Sequence, residues 1–583
     1  MQYLRSLSTR LPRWFSAGCL LALAGCHTSN DIAAISYVCE TASPPSNADD
    51  VEGLDRCGAA DSCDAPGADP NKCLPPEPYV VNGKVQWPAD PPAECILKAT
   101  RVTPPDGQVL DEPVNYVEAQ TALDTQRINA ALSSATCPIV KLITDGDSNA
   151  FLSAQIVING KTLWIDKGVT LFMSRSAALF QSTGNCGVLG VNDSSACIEF
   201  LSVSGTGPQI IGEGTIDGQG GEPLVGHDYS WWQMSYALRA IDGSIGNPTL
   251  INLKKGTTGF VLYRVTLHNS AKFHVKLTSS PPAGVGTGVC DTMRDRGKGF
   301  IVWGITLLTP SKWSNSANFQ LTPSWARNTD GVDPGTTDIA YCGVIACNTI
   351  STGDDHIAIK GGHWVSNLSI AHNRFGTGHG MSIGSETYGS YMSPDGVTHR
   401  GVTNVDVWDL TIDSDSRPVG IDAHPGDFNG IRIKSDESRG GLVDNVKYSD
   451  VCMRDMVNGL LVSTAYNPLF AGASYPDFRN LEFHNVRAVT CGGLSPAVVT
   501  LEGYNQTLRP TITLDNVIFD NLNPHLGVAS EFSQFHLGPG DINFEIQGRG
   551  VDIVTDTRTG SSTPKECHFT TLPAPQPPPG WKY

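Results

Sequence analysis

The stretches "GFVLYRVTLHNS" at 259–270 and "GFIVWGITLLTP" at 299–310 share one form, in which two short runs alternate apolar and polar residues. The form returns in "DIAYCGVIACNTIS" at 338–351, "NLSIAHNRFG" at 367–376, "NVDVWDLTIDS" at 404–414, "NVKYSDVCMRDM" at 445–456 and "NLEFHNVRAV" at 480–489. Alternation with period two is the mark of a strand with one face buried, and Asn, Gly or Asp at the joints marks tight bends. The spacing between units varies: the interval from Phe260 to Phe300 is clearly longer than that from Ile339 to Leu368. A recurring two-strand unit of variable length predicts an all-β chain wound as a parallel β-helix, whose coils bury one face and carry loops of different sizes. A propeller or sandwich would need antiparallel hairpins with tight turns between long strands, and few such turns are present.

Upstream, "QTALDTQRINAALSSAT" at 120–136 places Ala122, Ile128, Ala131 and Leu132 at helical spacing. This predicts a short N-terminal helix that caps the first, otherwise exposed, sheet edge. The architecture changes at about Cys137.

The 583 residues include 61 Gly and 38 Pro, with 40% hydrophobic and 17% charged residues and a formal net charge of -18. The hydrophobic content excludes disorder throughout, and the acidic balance argues against a nucleic-acid partner. Residues 1–26 read as an export signal, with Arg5, Arg10 and Arg13 before the apolar "AGCLLALAG". That run is too short to span a bilayer. "LAGC" at 23–26 resembles a bacterial lipobox with Cys26 as the lipidated residue, the alternative being an ordinary signal peptide with a chance cysteine. Both readings take the protein out of the cytoplasm, as a secreted protein or an outer-membrane lipoprotein.

Of 16 cysteines, setting aside Cys19 and Cys26 leaves 14, an even number that suits an oxidising compartment. Cys186 and Cys197 bracket a short loop and are expected to pair. No paired Cys and His spacing resembles a zinc site, and no structural metal is expected. Residues 27–95 read as a Cys/Pro-rich linker or small disulfide-tied segment, 96–556 as the organised domain, and 557–583 as a Pro-rich tail.

Four motifs carry the chemistry. Asp330 of "RNTDGVDP" precedes Asp354 of "GDD" by the same interval at which His379 of "GTGHGMSIGS" follows Asp355. With that interval as one coil, the three motifs stack on successive coils about 4.8 Å apart. "NGIRIKS" adds Arg432 and Lys434, two apart on a strand and so on one face. Two cations beside three aspartates suit a site that binds and hydrolyses an acidic sugar.

"NTDG", "GDD", "GHG" and "RIK", in this order, resemble the four signature motifs of glycoside hydrolase family 28, the polygalacturonases. The likeness runs from about Thr121 to Val554 and includes "GTIDGQGG" at 214–221 and "SWWQM" at 230–234. It implies a right-handed, single-stranded parallel β-helix and an inverting hydrolysis of α-1,4 bonds between galacturonic acid units of de-esterified pectin, without a cofactor. The phrases "GTGHGMSIGSETYG" and "IRIKSD" are most similar to the bacterial endo-polygalacturonases, with an exo-polygalacturonase as the alternative. Carried onto matching positions, the resemblance makes Asp354 the general acid, and Asp330 and Asp355 the pair that holds and activates water. His379 would orient the acid, Arg432 and Lys434 would bind the galacturonate carboxylate, and Asn328 and Tyr466 would position substrate. No protein partner is implied, and a monomer is expected.

An inverting glycosidase needs one protonated carboxyl at the leaving oxygen and an ionised one behind the sugar. Crowding three aspartates raises at least one pKa and so keeps a proton available. Asp333, Asp338 and Asp413 are read instead as turn aspartates that satisfy backbone donors. The net charge of -18 opposes a polyanion, but screening beyond about 8 Å lets a local cationic cleft prevail. Arg432 and Lys434, with Lys360 and Arg327, are the cations expected to form it. Two rivals share the coils: a calcium-dependent pectate lyase and a non-catalytic carbohydrate-binding β-helix. Extra loops at 391–401 and 416–430, between "GHG" and "RIK", are expected to border the cleft.

Overall fold

The computed structural model describes residues 72–573 apart from 106–107, 239–242, 244–245, 280–289, 291, 311–312, 315–325, 337, 393–395, 414–421, 424–428, 467–473, 490–496, 521, 523–527 and 571. The expected signal peptide with Cys26, residues 27–71, most of the 416–430 loop and the stretch 574–583 lie outside the described part. No helix among the described residues is long and apolar enough to cross a membrane.

The alternating runs become parallel strands, stacked coil on coil into a right-handed parallel β-helix whose described residues form a 22-stranded and an 11-stranded sheet. Phe260 pairs with Phe300 and Phe300 with Gly343, so the first two quoted units lie directly over one another. In each strand alternate residues enter a continuous apolar interior, such as Phe260 and Leu262, while Val261 and Tyr263 face outward. The spacing read from Ile339 to Leu368 is corrected: Leu368 pairs with Gly343, so one coil runs from Gly343 to Leu368 and is shorter than that reading. The longer reading came from the anchor, since Ile339 lies before the residue that Leu368 pairs with; Cys342 and Asn367, at φ of 71° and 58°, form a left-handed corner at the same level of both coils.

A second left-handed corner follows the pair Tyr263–Trp303 and recurs along the sheet at Arg264, Gly304, Cys347, His372, Asp409, Asp450, Asn485 and Asn516, with φ between 47° and 67°. Such a conformation costs an L-residue about 1–2 kcal/mol, least where a short polar side chain can bond locally. Here the side chains also bond up and down the stack: His372 Nδ1 lies 2.7 Å from Asp409 Oδ2, and Asn516 Nδ2 donates to Asn485 Oδ1 at 2.9 Å. The Asn and Asp joints of the sequence are these corners.

The N-terminal end of the interior is covered. The predicted single helix is two, Tyr116–Ala122 and Thr125–Ser133, because the chain turns at Leu123 and Asp124. Ile128 and Leu132 are buried, and Asn129 Oδ1 accepts the Val157 N–H of the terminal strand Ile156–Asn159, which closes that edge. Cys186 pairs with Cys197 as expected, and Cys95–Cys137, Cys290–Cys342 and Cys452–Cys567 are further disulfides.

Outward from the larger sheet stands a ladder in register: Trp164, Ile211, Tyr263, Trp303, Ala346, Ala371 and Trp408. Residues 72–95, the described part of the segment expected as a linker, run along it. Leu74, Tyr79, Val85 and Trp87 pack on the ladder, and Glu77 accepts a hydrogen bond from Tyr263 Oη at 2.8 Å. Asp90 pairs with Lys141 on an early coil, whereas Lys72 pairs with Asp450 on a late one. The C-terminal stretch returns to the same Asp450 through Lys565, beside the Cys452–Cys567 disulfide, which closes a 115-residue separation. A loop of about 100 residues is worth about 4.7 kcal/mol in the chain-entropy account.

Candidate active site

The smaller sheet positions the motifs. Val332 pairs with Ile357 and Ile357 with Met381, so "NTDG", "GDD" and "GHG" stand at the entries to three successive strands. Asp330, Asp355 and His379 each precede the paired residue by two and share a level, whereas Asp354 is one step ahead. The equal intervals in the sequence had aligned Asp330 with Asp354; the true partner level is that of Asp355.

Two glycines are fixed by close approach. A Cβ on Gly353 would come within 2.0 Å of the Ala326 carbonyl, and one on Gly380, at φ 79°, within 2.1 Å of Gly430 O. Thr329 Oγ1 accepts the Gly353 N–H at 3.0 Å and ties "NTDG" to "GDD". His356 is buried and stacked on Phe375; its Nδ1 accepts the Gly380 N–H at 3.0 Å and its Nε2 donates to Gly376 O at 3.1 Å. Burial pushes its pKa down to about 3, so the ring stays neutral and locks the turn before His379.

The pair in "GDD" is split by its neighbours. Asp354 Oδ1 lies 2.8 Å from His379 Nδ1 and accepts the Asp355 N–H, while Oδ2 accepts the Asn328 N–H at 3.2 Å. Its side chain keeps 19% of its exposure, against 3% for Asp355. Asp355 accepts from Ser382 Oγ at 2.8 Å, from Arg432 Nη2, and from Lys434 Nζ at 3.3 Å. Burial opposes its ionisation, but Arg432 and Lys434 outweigh burial and hold the carboxyl well below the usual carboxylate range.

Asp330 goes the other way. Burial, then Asp333 and Asp354 beside it, hold its carboxyl well above the usual range, although Lys360 Nζ lies 3.8 Å away. The raised acid that crowding predicts is therefore Asp330. Lys360 bridges Asp330 and Glu386, the latter also held by Arg439 at 3.1 Å. Arg327 turns aside to the Ser235 carbonyl at 3.4 Å. Tyr466, 41% exposed, has Lys434 Nζ 4.9 Å from its ring centre, and that charge lowers its pKa.

All eight residues singled out from the motifs thus meet in one place. Asp413 is a structural aspartate, forked onto Arg454 with 2.7 Å from Nε to Oδ1, and Asp338 accepts the Ile339 N–H at 2.8 Å. Asp333 is not a turn aspartate: it is fully buried, neither oxygen has a hydrogen-bond partner, and burial pushes its pKa up to about 8. Ser382, Glu386 and Arg439 were missed, since isolated Ser, Glu and Arg carry no spacing signal. Ser382 follows from the register alone, one coil before Arg432 on the same face.

Asp354, Asp355 and His379 offer oxygen and nitrogen atoms within 4.8 Å of one another, a spacing that could hold a cation. Two of the Asp355 contacts are already cationic, so a metal there would face Arg432 and Lys434. What the site can do without one is bind a carboxylate and offer a second carboxyl, on a histidine, to a bond beside it.

The model of "Glycosyl hydrolases family 28" matches residues 148–523. The chain is similar to a polygalacturonase of Ralstonia nicotianae, 34% identical over 82% of this chain and 86% of that one. It is also 34% identical to an endo-polygalacturonase of Pectobacterium carotovorum subsp. carotovorum, over 71% of this chain and 89% of the relative. Among solved structures, a polygalacturonase from Erwinia carotovora ssp. carotovora superposes with a TM-score of 0.54 at 30% identity, covering 76% of this chain and 99% of that one. Sequence, coil and motif order agree, and this chain belongs to family 28 of the glycosyl hydrolases.

Proposed function

We propose that this enzyme is an endo-acting polygalacturonase, which hydrolyses α-1,4 bonds between galacturonic acid units inside chains of de-esterified pectin, with inversion. The observation that carries the reading is the division within "GDD": Asp355 is clamped by Arg432 and Lys434, while the more exposed Asp354 rests on His379. In this reading Asp354 protonates the leaving oxygen, and Asp330 with Asp355 holds and activates the attacking water. His379 orients Asp354. Arg432 and Lys434, beneath Tyr466, take the substrate carboxylate, and Asn328 helps set its position. A proton on Asp330 would have to leave before that residue acts as a base. The neighbouring Lys360 favours its departure.

Endo action is supported by the 34% identical endo-polygalacturonase of P. carotovorum and by the first of the two extra loops. Ser390–Met392 pairs with the start of the strand Thr398–Asp413 as a hairpin, and His399 stacks on Trp364 of the larger sheet at 4.1 Å, which draws the hairpin toward that sheet. The export signal fits a secreted enzyme, with a lipid anchor at Cys26 as the variant of that reading. A product time course on polygalacturonate tests the mode: rapid viscosity loss with a ladder of oligomers is expected, and early release of monomer or dimer alone would show an exo-enzyme.

A further inference from the structure

The outward row of the smaller sheet runs, in register, Asn252, Lys276, Asp333, then Ala358, Ser382, Arg432 and Leu461. The coil of "GDD" lies in the middle of this row. Arg432 stands two coils beyond it and Lys276 two coils before it, each about 10 Å away at a coil rise of about 4.8 Å. The row therefore carries a cation on either side of the candidate acid.

Lys276 is not alone. Lys272, at the entry to the same strand, puts its ammonium 5.1 Å from the Phe273 ring centre, and Lys276 Nζ lies 5.8 Å from the same ring. Like charges near one ring repel, and burial with that repulsion from Lys276 pushes Lys272 down to about 8. An internal carboxylate could relieve the strain, and Asp333 is the register neighbour of Lys276. Yet neither Asp333 oxygen has a hydrogen-bond partner, and among the described residues Lys276 feels Asp333 and Glu199 only as nearby charges. A carboxyl with a pKa near 8 is protonated over the acidic and neutral range, and the attraction of Asp333 and Glu199 does not offset the burial that pushes Lys276 down.

We infer that Lys276, with Lys272 and the Phe273 ring, forms a second carboxylate-binding subsite, which holds a galacturonate unit on the opposite side of the scissile bond from Arg432 and Lys434. The inference rests on the polygalacturonase reading and sharpens its substrate class: productive binding requires a free carboxylate on both sides of the bond. Esterification of the unit over Lys276 then hinders cleavage as strongly as esterification of the unit over Lys434.

The test is steady-state kinetics on polygalacturonate for wild type, Lys276→Met and Lys276→Arg, with thermal unfolding as a check on the fold. A charge-assisted contact predicts about a tenfold rise in KM at low salt for Lys276→Met, with kcat changed less than about twofold. The variant's KM should also climb less steeply with added salt than the wild type's, and Lys276→Arg should restore most of the affinity. Lys276→Gln replaces the methionine variant if that one does not fold. An unchanged KM and salt slope in a folded Lys276→Met enzyme, with an active wild type, overturns the subsite alone. A wild type that releases no reducing ends from polygalacturonate overturns the substrate reading and this subsite with it.

Discussion

Nδ1 of His379 lies 2.8 Å from Oδ1 of Asp354, although the two residues come from different coils. Asp355, one residue along, turns instead to Arg432 and Lys434. Two adjacent carboxyls of like charge are thereby given different partners.

Removing one cation should show how much the clamp contributes. Arg432→Met leaves the Asp355 charge buried with Lys434 alone, and breaking a buried ion pair costs about 3–5 kcal/mol. The folded pKa of Asp355 is depressed, so its stabilisation is present above the unfolded value of about 3.9 and is lost as pH falls through the lower folded value. The deficit of Arg432→Met in urea unfolding should therefore be large at pH 7 and shrink toward pH 3. An equal deficit at both would mean that the arginine acts through packing.

Asp333 predicts the opposite slope. Its folded pKa, about 8, lies above the unfolded value, so the folded state binds the extra proton and loses stability as pH rises from about 4 to 8. Asp333→Asn should remove that slope, so that its Tm falls less than the wild type's between pH 5 and pH 8. Parallel Tm profiles would show that Asp333 does not titrate in this range.

How much of this was legible in the sequence depends on the kind of signal. Phe260 over Phe300 could be read because both lie in strands whose alternation is strict, and "GDD" because adjacent carboxylates are rare without a use. Asp333 was misread: in sequence it is one more aspartate before a proline, and only the register shows it facing Lys276 without bonding to it. The run over the aromatic ladder from Leu74 to Trp87 left no periodic trace, since it packs by single side chains on a surface that another segment builds. Two helices were read as one because Leu123 and Asp124 keep helical spacing of the apolar residues across the break.

The corner stack gives a prediction about the fold. Asn404, at φ 55°, donates to Asn367 Oδ1 at 3.0 Å and accepts from Asn445 Nδ2 at 2.7 Å. Asn404→Ala loses both bonds and keeps the backbone cost, whereas Asn404→Gly loses the bonds but relieves that cost. The alanine variant should be the less stable by about 1 kcal/mol in chemical denaturation. Equal stability of the two would remove backbone strain from the account of the corners.

Chelation should leave activity unchanged. The carboxylate oxygens that a calcium ion would need on Asp355 are already engaged by Arg432 and Lys434. Reducing-end release should be the same with and without EDTA, and no ultraviolet-absorbing unsaturated product should form. Loss of activity on chelation, restored by calcium, would favour a lyase.

The most direct measurement is the release of new reducing ends from polygalacturonate by wild type and by Asp354→Asn. The substitution keeps the size of the side chain and removes the transferable proton, so the variant should fold normally and bind the polymer. Its turnover should fall by about 100- to 10,000-fold, the share that general acid catalysis supplies. Undiminished turnover in a folded Asp354→Asn enzyme would contradict the assignment of Asp354 as the acid.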